Sequence, residues 1–179
     1  MNYLKYCKTC KNNCCIYPDE TGFIFCGIED AKIIHEKTKL PYNEFLLYTP
    51  LKKKTIKLCS EYHDKNSESS LRMRLLKENK LLRIKTTNDG RCVFLDSSDK
   101  CTIYENRPLI CKIYPYWFRK KGTSIQIVPH EEVVTCKRVI KEKIGNSEKK
   151  ELIFLAKKII FEAENYSKNI GIFSKTFIY

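Results

Sequence analysis

Apolar residues in the last part of the chain recur at helical spacing. After Ser147, the positions Leu152, Leu155, Ala156, Ile159, Ala163 and Tyr166 follow one another in steps of three and four. That period predicts a long amphipathic helix, capped by Ser147 and stopped by Gly171. Ile153, Phe154, Ile160 and Phe161 widen its apolar face beyond one stripe. The helix is therefore expected to cover a small sheet or to present a second face to a partner. Near the start, Ile28–Lys37 reads as a helix with Glu29 and Asp30 in its first turn, where the helix dipole favours carboxylates. Pro41–Tyr48 reads as a second short helix ending before Pro50.

Elsewhere the period shortens to two. Leu71–Leu75 alternates apolar and cationic residues, and so does Leu82-Arg83-Ile84-Lys85. Asn88-Asp89-Gly90 then turns the chain into Cys92-Val93-Phe94-Leu95. These predict three strands of an antiparallel meander. Phe23–Phe25 and Thr123–Val128 are further short strands, the latter expected at an edge. Pro108 suits the first turn of a short helix over 107–113, and another helix is expected from near Val133 to Gly145. Residues 52–70 are polar and serine-rich and read as a loop.

The expected fold class is α+β: a small antiparallel sheet of three to four strands, short helices, a Cys-rich metal site and a long C-terminal helix. Residues 1–145 are expected to form a metal-binding domain, with the helix of 146–179 packed on it. The chain has 179 residues, 42% of them hydrophobic, which is enough for a core and excludes a disordered basic tail. No basic segment followed by an apolar run opens the sequence, and no run of about 18 apolar residues occurs. The expected location is cytoplasmic, with no membrane span.

Charge changes this picture little. The formal net charge is +13, and residues 51–87 hold 11 Lys/Arg against 4 Asp/Glu, including Lys52-Lys53-Lys54. Thiolates around a metal offset part of that surplus, so a solvated lysine-rich face is preferred to a nucleic-acid footprint.

Cysteine changes it most. Ten cysteines are more than packing uses, and eight fall into two groups: Cys7-x2-Cys10-x3-Cys14-Cys15, and Cys92-x8-Cys101-x9-Cys111 with Cys136 beyond. Thiolates are soft anionic ligands, and four of them close a tetrahedral zinc site or hold an iron–sulfur cluster. In a reducing compartment such a framework binds metal rather than forming crosslinks. Cys14 and Cys15 leave their backbone in different directions, so which of the two is a ligand stays open. None of the three histidines (His35, His63, His130) lies within a cysteine pair, which favours an iron–sulfur cluster, expected as 4Fe–4S, over Zn2+. Cys26 reads equally as a ligand or a buried apolar residue, and Cys59 as a bystander. Tyr104, Tyr114, Tyr116, Trp117 and Phe118 are expected to shield the metal.

The motifs Gly90-Arg91-Cys92-Val93-Phe94-Leu95, Cys101-Thr102-Ile103-Tyr104-Glu105-Asn106-Arg107-Pro108 and Cys111-Lys112-Ile113-Tyr114-Pro115 are highly specific. Over about residues 7–136, the chain resembles a cysteine-cluster family of CxxCxxCC type, described as a candidate zinc- or iron-chelating domain and including the flagellin lysine methylase group. The resemblance implies Cys7, Cys10, Cys14, Cys15, Cys92, Cys101, Cys111 and Cys136 as the metal positions. Here three residues separate Cys10 from Cys14, and Cys136 precedes Lys137-Arg138 where the family often has Pro-Gly.

Three functions follow as expectations. The first is a metal-binding module with a redox, assembly or partner-docking role, a protein being the expected kind of partner. The second, carried by the resemblance alone, is a protein-lysine N-methylation factor. No glycine-rich loop for S-adenosylmethionine accompanies it, and no catalytic residue is assigned. The third is a zinc module that binds nucleic acid, ranked last because finger spacing with paired histidines is missing.

Overall fold

The computed structural model describes residues 15–16, 24–50, 53, 80–129 and 144–177. Its first element, helix α1, spans Ile28–Thr38. Gly27 precedes it in extended conformation, and Lys39 ends it in the left-handed region, donating its N–H to the His35 carbonyl. α1 turns Asp30, Ala31 and Ile34 inward. A single helical turn follows, α2 over Tyr42–Phe45.

The short helix expected over Pro41–Tyr48 ends after that turn. At Leu46 the backbone straightens, and Leu46–Pro50 becomes strand β1. Tertiary pairing explains the difference. β1 lies antiparallel to β2, Lys80–Ile84, from Leu46 opposite Ile84 to Pro50 opposite Lys80. Those ladder bonds satisfy backbone groups that a longer helix would have satisfied internally.

β2 is buried at Leu81, Leu82 and Ile84, so it does not alternate strictly. Its other edge is also used. Cys26 N–H donates to the Leu82 carbonyl at 3.1 Å, and Ile84 N–H to the Ile24 carbonyl at 3.0 Å. Of the strand expected at Phe23–Phe25, Phe25 makes an isolated antiparallel bridge with Arg83, and Phe23 lies outside the described residues. The third meander strand is not formed. Cys92–Leu95 folds into a tight turn, with Leu95 N–H donating to the Cys92 carbonyl at 3.0 Å. Only isolated bridges remain, Thr86 with Cys92 and Leu95 with Cys101. Leu71–Leu75 and the helix expected from near Val133 lie outside the described residues.

Leu109–Ile113 forms a short helix, α3, directly after Pro108. β3 (Tyr116–Lys121) and β4 (Ser124–Pro129) make a hairpin, with Gly122 at positive φ in its turn. The expected strand at Thr123–Val128 is therefore present, but its partner is the aromatic segment read from sequence as a shield. The described strands form two separate two-stranded sheets rather than one. The α+β class holds, with its strands divided.

The last element is α4, Asn146–Phe177, 32 residues long. Glu148 reaches back to accept the Gly145 N–H at 3.1 Å, so the N-terminus is fastened by the third residue rather than by Ser147. Leu152, Leu155, Ala156, Ile159, Ala163 and Tyr166 are all buried, as their spacing predicts. Gly171 does not stop the helix. It lies on the exposed side, while Ile170 and Phe173 continue the buried face on either side of it. Phe173 meets Tyr42 edge-on with ring centroids 5.2 Å apart, and that burial outweighs about 1 kcal/mol of glycine cost. α4 packs against α1, α3 and the β3–β4 hairpin. The Tyr166 hydroxyl accepts the Leu82 N–H at 2.6 Å, tying the helix to β2 through a buried hydrogen bond.

Candidate metal centre

Short turns, not long strands, position the thiols. Cys92 N–H donates to the Cys15 carbonyl at 2.9 Å, and Ile16 bridges Arg91, so Cys15 is held beside Cys92. The loop to Cys101 is built on Asp96. Its carboxylate accepts the N–H of Ser98 at 2.8 Å and of Lys100 at 2.9 Å, while Asp99 takes a left-handed conformation. Asp and Asn favour such turns because their short side chains bond the backbone two residues on. At the loop's end Thr102 N–H donates to the Phe94 carbonyl at 2.8 Å, fixing Cys101 across from Leu95.

Cys111 comes from α3. The first N–H of that helix, from Leu109, donates to the Asp30 carboxylate at 2.9 Å. Asp30 is only 6% exposed. Sequence offered it as an ordinary first-turn acid of α1; instead it fastens the helix that carries Cys111.

The four thiols form one electrostatic group. Cys111 is influenced by Cys15, Cys92 and Cys101, Cys92 by Cys15 and Cys101, and Cys101 by Cys15. Cys92, Cys101 and Cys111 are free rather than disulfide-bonded. Burial pushes Cys92 up to about 12 and raises Cys101 and Cys111, and the neighbouring thiols add to the rise. Arg107 opposes it at Cys101 and Cys111. The Arg107 side chain is buried, its guanidinium 3.9 Å from the Tyr104 ring centroid and its Nε donating to the Tyr104 carbonyl at 2.8 Å.

Buried thiols with raised pKa are protonated at neutral pH and make poor nucleophiles. Their useful chemistry is to give up protons to a soft cation that binds all of them. A fixed guanidinium beside them suits the anionic shell that results. The donor set therefore fits zinc or an iron–sulfur cluster in chemistry. Among the described residues, however, no three His, Cys, Asp or Glu side chains stand close enough to hold one ion together. Cys7, Cys10, Cys14 and Cys136 lie outside the described residues.

The other sequence candidates divide. Cys26 is fully buried, donates to the Gly27 carbonyl at 3.5 Å, and lies within the electrostatic reach of Cys111, Asp30 and Glu162. His35 is occupied away from the thiols, with Nδ1 2.7 Å from the Leu40 carbonyl and its ring stacked on Tyr42. Cys59, His63 and His130 lie outside the described residues. Trp117 and Phe118 stack on each other, centroids 5.1 Å apart, in β3.

Glu162 was not legible as a site residue. Its carboxylate lies against Gly27, where any side chain would overlap it. Burial pushes Glu162 up to about 7, and Asp30 and Glu29 add to the rise while Lys158 opposes it. Burial likewise raises Asp30 to about 6, against the Leu109 and Gly27 N–H groups and Lys112. A carboxyl whose pKa rises on folding stabilises the fold fully below its unfolded value, and that contribution is lost as pH climbs through its folded value. For Glu162 the window runs from 4.5 to about 7. Glu162→Gln should therefore gain melting temperature relative to wild type between pH 5 and pH 8. Melts of the two proteins in parallel check this, and a difference that does not change with pH rules it out.

No solved structure matches this chain. Residues 6–150 match the family model CxxCxxCC, described as a putative zinc- or iron-chelating domain. That match spans both cysteine groups and most of the chain, and the protein belongs to this family of zinc- or iron-chelating domains.

Proposed function

We propose that the protein carries a thiolate metal centre, an iron–sulfur cluster in the first instance and Zn2+ in the second. Cys7, Cys10, Cys14, Cys15, Cys92, Cys101, Cys111 and Cys136 are the pool from which its ligands come. The observation that supports this reading is that Cys15, Cys92, Cys101 and Cys111 lie within one another's electrostatic reach, with the Arg107 guanidinium acting on Cys101 and Cys111. Thiols without histidine among them favour iron–sulfur chemistry, which accepts four cysteine ligands. Residues 1–145 act as the chelating unit, with the helix of residues 146–179 closing over it. Such a centre suits a reducing compartment, the cytoplasm, where the thiols stay free to bind metal. Its role is redox, assembly or docking of a protein partner.

Anaerobic purification followed by elemental and acid-labile sulfide analysis tests the proposal. Iron with matching sulfide and visible absorption supports the cluster. A colourless protein with stoichiometric zinc removes the cluster and keeps the thiolate centre. Protein that takes up neither metal after reduction and reconstitution overturns both forms.

A further inference from the structure

We infer that the outer face of α4 is a docking surface for an acidic amphipathic helix of another protein. Phe154, Phe161 and Ile172 are 55%, 68% and 72% exposed. Their spacings of seven and eleven residues place them within about 20° of one another around a helix of 3.6 residues per turn. They form one line about 27 Å long at a rise of 1.5 Å per residue. The opposite face of α4 already supplies the core, through Leu152, Ile159 and Tyr166. The exposed line is thus a second apolar face, beyond what the described residues cover.

Charge indicates what fits it. Lys150, Lys157, Lys168 and Lys175 are exposed and fall about 40–60° to one side of the line, with the exposed Glu164 the one acid on that flank, between Lys157 and Lys168. The other flank mixes Lys158, Glu151 and Asn169. The Lys158 ammonium lies over the Phe154 ring, 4.7 Å from its centroid, covering part of the apolar line. A basic row on one side of an apolar seam matches a helix whose own apolar seam is edged by Asp or Glu, as charged flanks select partners in coiled coils. A second copy of this chain is disfavoured, because it would bring lysine-rich flanks together in a protein of formal charge +13. A helix lying in an anionic membrane surface is rich in Lys and Arg across its polar face, whereas here the cations lie mainly on one flank.

The probe is a synthetic amphipathic peptide of about 20 residues, long enough to span the line at 1.5 Å per residue, with leucines on one face and glutamates along one flank. Controls are the same peptide with lysine for glutamate, a scrambled peptide, and vesicles with and without phosphatidylserine. The full protein should bind the acidic peptide saturably and in competition with salt. Phe154→Ala with Phe161→Ala should weaken binding about tenfold or more, as truncation of central aromatic anchors does. Lys157→Glu with Lys168→Glu should shift preference to the lysine peptide. Because all four positions are exposed, the variants should keep the wild-type melting curve, which separates lost binding from lost folding. Equal affinity for acidic, basic and scrambled peptides overturns the inference, and so does affinity unchanged by the Phe substitutions. Vesicle binding without peptide binding, or dimerisation abolished by the same Phe substitutions, assigns the face to another occupant and overturns it too. The metal content plays no part in these outcomes, so this inference stands or falls separately from the thiolate centre.

Discussion

Removing the metal is expected to cost the protein about 4 kcal/mol of stability when the metal had been held at about a thousand times its dissociation constant. In a chain of this size that corresponds to about 8–16 °C in melting temperature. The expectation rests on what otherwise fastens the Cys15–Ile16 segment. Among the described residues, it is joined to the loop at residues 91–92 by the Cys92 N–H to Cys15 carbonyl bond and by the Ile16–Arg91 bridge. A backbone hydrogen bond nets only about 0.5–1.5 kcal/mol. A metal shared between Cys15 and the thiols of 92–111 would close a loop of some eighty residues, far more than those bonds secure. The loss should be local before it is global. Hydrogen exchange should rise first at residues 91–102, where the backbone is held in short turns, and last at Leu81, Leu82 and Leu152 in the core. Metal uptake must also expel protons from thiols such as Cys92, pushed up to about 12, so apparent affinity should climb with pH. Melting curves before and after chelation under reducing conditions check the prediction. A metal-depleted protein that melts at the original temperature would leave the centre without a structural role.

How much of this was open to sequence reading depended on the range of the interaction. The inward face of α4 was legible because its spacing is set by the helix itself, and every predicted position from Leu152 to Tyr166 is buried. α1 was legible for the same reason, to within a residue. The hydrophobic period failed where a distant partner decided the outcome. Leu46–Tyr48 continues a helix on local grounds and becomes a strand because β2, more than thirty residues on, offers a ladder. Gly171 reads as a stop until Phe173 is seen against Tyr42. Cys92–Leu95 has the composition of a strand, yet its backbone groups are claimed by the Cys15 carbonyl, by Lys85 and by the turn onto itself. At the metal centre the cysteines were legible as ligand types, since few other residues serve a soft metal. The group that fastens the Cys111 helix was not. Asp30 carries no motif, and it acts through a contact made 79 residues away in sequence.

The sharpest test of the ligand set compares half-buried Cys111 with the buried Cys26 near it. Cys111→Ser is expected to lose most of the bound metal and to melt close to the metal-free wild type. Serine keeps the size of the side chain but replaces a soft thiolate with a hard, high-pKa hydroxyl. The backbone there is well held, by Cys111 N–H to the Pro108 carbonyl at 2.9 Å and by Leu109 N–H to Asp30. The substitution should therefore remove a ligand rather than dismantle α3. Cys26→Ala is expected to keep its metal. Cys26 belongs to the apolar core with Ile24, Phe25 and Leu82, and losing its sulfur leaves a small cavity costing about 1 kcal/mol. Chelation separates the two effects. It should lower the melting temperature of Cys26→Ala as far as that of wild type, and lower that of Cys111→Ser scarcely at all, since ligand loss and metal loss are then one event and cannot add. If Cys26→Ala loses as much metal as Cys111→Ser, Cys26 is a ligand that the two cysteine groups do not include. If Cys111→Ser keeps its metal, the centre is not at the convergence of Cys15, Cys92, Cys101 and Cys111, and the raised thiols there are core packing only.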